Sequence, residues 1–101
     1  MKDDVSKMTS SFYLRISGTV QGVFFRASAK KKADALGVLG WIRNTGDHCV
    51  ESKVSGKKDA VLDFIEWCKT GPVLASVTEV IVQACEDQHM DDFVIADTEV
   101  T

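Results

Sequence analysis

Two short segments of this sequence carry residue types suited to chemistry on an anion. In Gly18-Thr19-Val20-Gln21-Gly22-Val23-Phe24-Phe25-Arg26, a glycine-containing loop joins a strand-like run to a helix-like one and ends on an arginine. Backbone N–H groups in a tight loop and at a helix N-terminus are unpaired and point outward, so they attract phosphate oxygens. Arg26 adds a fixed charge whose planar fork bonds two such oxygens at once, which lysine cannot do. The same pattern also serves plain chain reversal, with the arginine as a surface residue, and spacing alone leaves both readings open. The loop contains neither G-x-x-x-x-G-K-[ST] nor G-x-G-x-x-G, so nucleotide binding is unsupported. The second segment is Gly40-Trp41-Ile42-Arg43-Asn44-Thr45.

Elements on either side must hold these segments. Phe12, Leu14 and Ile16 alternate with Tyr13, Arg15 and Ser17, which predicts a half-buried strand ended by Gly18. Residues 19–25 are expected to form a loop. Ala29, Ala33 and Leu36 then recur at helical spacing, predicting about three turns of helix stopped by Gly37. Val38 to Asn44 and Val50 to Val54 predict two more strands, joined by a turn at Thr45-Gly46-Asp47-His48. A second helix is expected from Ser55 or Gly56, with Val61, Leu62, Phe64, Ile65 and Cys68 as its apolar stripe and Gly71-Pro72 as its stop. Ser76 to Cys85 is rich in β-branched residues and predicts a strand; after polar Glu86 to Asp92, Phe93-Val94-Ile95-Ala96 predicts a short last one. Residues 1–11 are polar and aperiodic and read as a flexible N-terminal arm, leaving 12–101 as one domain. The order describes an α+β, ferredoxin-like split βαβ (βαββαβ) sandwich: an antiparallel sheet with two helices on one face and a short fifth strand. Such folds host RNA binders, metal carriers, sensors and enzymes, so the site must decide the function. Within the elements, Trp41 is expected to pack in the core, Lys30-Lys31-Lys32 to form a solvated face, and His48 to stand by in a turn.

Together the two segments resemble the acylphosphatase family. Its V-x-G-V-x-F-R loop is matched by Val20 to Arg26, and its G-W-V-[KR]-N strand by Gly40 to Asn44 with Ile42 for valine. The likeness extends to the Leu36-Gly37 helix end, the Phe64 to Trp67 helix and Gly71-Pro72, so it covers about residues 12 to 96. The resemblance implies a small enzyme without metal or cofactor that hydrolyses acyl phosphates to a carboxylate and inorganic phosphate. By it, Arg26 and the amides of Gln21, Gly22, Val23, Phe24, Phe25 and Arg26 bind the phosphoryl group, and Asn44 orients the attacking water. An amide side chain has a donor and an acceptor, so it can fix a water in line with the scissile bond, though it is too weak a base to take the proton. No carboxylate pair or catalytic histidine is evident near these segments, which implies a leaving group that departs unprotonated. A carboxylate, with a pKa of about 4, does so. Three departures from the family pattern stand out: Ala29 where many members have Thr or Ser, His48-Cys49 in a turn where glycine is common, and a C-terminal stretch, Asp97 to Thr101, without the usual aromatic or basic residues.

At 101 residues the chain supports a single core. Its 12 basic residues face 15 acidic ones, a balance that argues against a polynucleotide partner. Val50-Glu51-Ser52-Lys53-Val54 also lacks the aromatic residues that stack RNA bases. Cys49, Cys68 and Cys85 form no C-x-x-C pair and His48 and His89 no H-x-x-x-H pair, so no metal site is readable. An odd cysteine count, no apolar leader in residues 1 to 7 and no membrane-length apolar run point to the cytoplasm, reduced thiols and no membrane partner. The expected protein is a monomer acting on small acyl phosphates. Its rival is a noncatalytic phosphate-binding regulatory module of the same fold.

Overall fold

The computed structural model describes residues 8–98. Along the chain run β1 (Thr9–Thr19), α1 (Phe25–Leu36), β2 (Leu39–Asn44), β3 (Val50–Lys57), α2 (Lys58–Cys68), β4 (Ser76–Ala84) and β5 (Phe93–Ile95). The strands form one sheet in the order β4-β1-β3-β2-β5. Alternation along β1 turns Leu14 and Ile16 to the helix-covered face, where both are fully buried. Cross-strand register extends that face: Ile16 lies opposite Val50, and Val50 opposite Asn44.

Both helices meet this face with the residues their spacing selects. α1 buries Phe25, Ala29 and Ala33, and α2 buries Val61, Phe64, Ile65 and Cys68. With Val20, Val38, Ile42, Val54 and Phe93 they form one core, each large side chain contributing roughly 1.5–3 kcal/mol by leaving water. Leu62, expected in the stripe, is instead 45% exposed, because one residue along a helix turns about 100° away from Val61.

The structure departs from the expected boundaries in places that share a cause. β1 begins at Thr9 rather than Phe12, and β3 runs on to Lys57, so the second helix starts at Lys58 and not at Ser55 or Gly56. Each extension supplies the other's partner: Thr9 pairs with Lys57, Ser10 with Gly56 and Ser11 with Ser55. Of the expected arm, residues 1–7 lie outside the described residues and Thr9–Ser11 belong to the sheet. Gly18 does not end β1. It forms a bulge against β4, where a Cβ would stand 2.1 Å from the Ser76 carbonyl oxygen, so only glycine fits.

The sheet is mixed rather than antiparallel, since β5 pairs parallel with β2. β4 runs antiparallel to β1 at one edge; the chain then crosses the end of the sheet through residues 85–92 and reaches the far edge running the same way as β2. Trp41 is likewise not a core residue. It sits half-buried on the open face under the Arg43 guanidinium, 4.9 Å from its ring centre, because Ile42 has taken the helix side.

Candidate active site

β1 hands the chain to residues 20–24, and α1 takes it up at Phe25. Gly22 has φ +77 with open space where a Cβ would be, so glycine serves the left-handed turn there and not a close contact. Phe24 follows at φ 67 and ψ 24, the N-cap of α1, with no side-chain cap hydrogen bond. These bends turn the first amides of α1 outward. No acidic residue occupies the first turn of the helix, so the positive end of its dipole is not neutralised from within.

A hollow of about 350 Å³ opens over this loop, lined by Val20, Gly22, Phe24, Phe25, Arg26, Ala27 and Ile95. Arg26 is half-buried at its wall, and its guanidinium has no hydrogen bond or ion pair with another described residue. Of the six residues expected at the phosphoryl group, Gly22, Phe24, Phe25 and Arg26 line the hollow, while Gln21 and Val23 do not. Val23 packs against the core.

The Gln21 side chain does something its sequence context conceals. Its Nε2 donates to the carbonyl oxygens of Thr45, at 2.9 Å, and Cys49, at 2.8 Å, tying the loop to the turn between β2 and β3. That turn is itself closed by the Thr45 amide on the Cys49 carbonyl (2.9 Å) and by the Cys49 amide on the Thr45 hydroxyl oxygen (3.0 Å). The Thr45 hydroxyl also donates to Asp47, and this bond, helped by the nearby Arg15 charge, holds the Asp47 carboxyl below the usual aspartate range. No sequence signal marked this tie, because both acceptors are backbone carbonyls of a turn more than twenty residues away.

Asn44 ends β2 and is not among the lining residues of the hollow. Its Oδ1 is buried and accepts no hydrogen bond from the described residues. The register still puts it close by: Ile95 of the lining pairs with Ile42, and Asn44 lies two residues beyond Ile42 on the same face. Ile95 was absent from the expected site and is supplied by the parallel strand β5.

On the opposite face of the sheet, the buried Glu51 carboxylate accepts from the Tyr13 hydroxyl and from Arg43 Nε at 2.5 Å. Burial, followed by the hydrogen bond to Glu51 and then the Glu51 charge, raises the Tyr13 hydroxyl above its ordinary value. These groups brace β1, β3 and β2 behind the site. Ala29 is fully buried in the core. Lys30 is not merely solvated: its Nζ donates to the Phe93 carbonyl at 2.8 Å and pairs with Asp34, clamping β5 to α1. His48 is exposed in the turn at φ 72. Among the described residues no group of three or more His, Cys, Asp or Glu is arranged to hold a metal ion, and no helix is long and apolar enough to cross a membrane.

Fold and site define a class: ferredoxin-like α+β domains whose pocket lies where the first strand passes into the first helix. Residues 12–95 match the model of the acylphosphatase family. An acylphosphatase from Haloquadratum walsbyi is 44% identical over 89 residues, which are 88% of this chain and 96% of that protein. The structure of an acylphosphatase from Coxiella burnetii is similar at a TM-score of 0.84 with 34% identity, covering 87% of this chain and 93% of its own. That of an acylphosphatase from Bacillus subtilis is similar at 0.83 with 30% identity, covering 88% and 99%. The chain therefore belongs to the acylphosphatase family.

Proposed function

We propose that this protein hydrolyses the carboxyl–phosphate bond of acyl phosphates, with the phosphoryl group held in the hollow over residues 20–26. The observation that carries the reading is Arg26, a guanidinium unpaired among the described residues, beside a left-handed loop and an unneutralised helix N-terminus. Arg26 and the loop amides hold the phosphoryl oxygens and gather the negative charge that grows on them in the transition state. Asn44 holds a water in line: the water oxygen forms its bond to phosphorus as the bond to the carboxylate oxygen breaks. The electron pair leaves with the carboxylate, and the water's proton passes to a phosphate oxygen. Family membership and the buried, unpaired Asn44 Oδ1 beside the Ile95 wall support this assignment. We read the protein as a monomer, and three free cysteines fit a reducing, cytoplasmic location.

Phosphate release from acetyl and benzoyl phosphate tests the proposal. Wild type should turn both over with inorganic phosphate competing, and Arg26→Gln should lose about a hundredfold or more in kcat/KM. Arg26→Lys should recover little, since a point charge cannot replace the fork. Binding of an acyl phosphate without turnover would favour a noncatalytic regulator instead.

A further inference from the structure

We propose that Phe24 and Ile95 select substrates whose acyl group is apolar, an alkyl chain or an aromatic ring; this rests on the hydrolase reading above. The backbone at residue 24, with φ 67, is one that glycine adopts freely and a bulky side chain only under strain. This chain nonetheless carries a phenylalanine there, 71% exposed at the hollow instead of in the core. Ile95, 43% exposed, lines the same hollow from β5. An aromatic ring that is both strained and left in water does nothing for folding, so its use lies with what enters the hollow.

Charge in the hollow is confined to one place. Arg26 is the only lining residue with a polar side chain, and the others, Val20, Gly22, Phe24, Phe25, Ala27 and Ile95, offer no side-chain hydrogen bond. With the phosphoryl group at the arginine, the acyl group lies against apolar surface. A methylene there leaves water at a gain, whereas an amide or carboxylate on the acyl group loses hydration with no partner in return.

Rates with acetyl, butyryl and hexanoyl phosphate test this, because lengthening the chain hardly alters the reactivity of the anhydride. For wild type, kcat/KM is expected to rise about twofold to fourfold per methylene, the upper figure being full burial. Phe24→Gly, which suits the backbone and removes the ring, and Ile95→Ser should each lower the hexanoyl-to-acetyl ratio about fivefold or more. The wild-type slope decides even where a variant folds badly. A level series, or a ratio that neither folded variant moves, overturns the acyl preference and leaves the hydrolase reading standing. If none of the three phosphates is turned over, the hydrolase reading falls and the preference with it.

Discussion

Arg26 and Asn44 present groups of opposite kind, a guanidinium with five donors and a buried amide oxygen, and neither is engaged by the described residues. Leaving a buried acceptor without a donor costs about 1–3 kcal/mol, which folding alone gives no reason to accept. Replacing Asn44 by alanine should therefore change unfolding free energy by no more than about 1 kcal/mol while kcat falls by about a hundredfold. Urea titration and phosphate release on the same preparation would check this, and a large stability loss would mark Asn44 as structural. Arg26 was legible as an anion candidate from its glycine loop, one of two readings that the spacing allowed. Asn44 was legible only through the resemblance to a known family, since a strand ending in asparagine signals no chemistry by itself. Trp41 was not legible, since strand alternation says that Trp41 and Ile42 face opposite ways and packing alone chooses which faces the helices.

At the scale of elements, the loop before α1 and the turn after β2 act as one unit through Gln21. Gln21→Leu removes both side-chain bonds but leaves each carbonyl a donor, the Thr45 amide for Cys49 and the His48 amide for Thr45, and should cost about 0.5–1.5 kcal/mol per bond. It should also weaken competitive inhibition by inorganic phosphate, since the cradle loses its anchor; an unchanged inhibition constant would count against the coupling. The turn carries its own pH signature. The folded protein holds Asp47 ionised more firmly than the unfolded chain does, so its contribution is fully present above the ordinary value of 3.8 and fades as pH falls through the lowered one. The stability gap between wild type and Asp47→Asn should accordingly be open above 3.8 and narrow as the pH falls further below it, as thermal melts would show. Sequence reading placed this turn but not its staple, because the two carbonyls that Gln21 meets are reached only through folding.

For the whole molecule, the decisive feature is the crossing from one sheet edge to the other. It brings β5 beside β2, seats Phe93 in the core 5.5 Å from the Phe64 ring, and makes Ile95 a wall of the hollow. Phe93→Ala should cost about 3–5 kcal/mol through the cavity it leaves. It should also reduce turnover by loosening that wall, measurable by denaturant unfolding and steady-state rates on the surviving folded protein. The sequence by itself determined the run of strands and helices, most of the buried stripes and a glycine loop ending in arginine before the first helix, since periods of 2 and 3.6 and the preferences of glycine act over a few residues. Only the tertiary structure decided that β1 and β3 lengthen together, that β5 runs parallel to β2, that Gln21 joins loop to turn, and that Ile95 meets Phe24 at one hollow. Each of those depends on which strands become neighbours across the chain, and that choice belongs to the packing of all the elements at once.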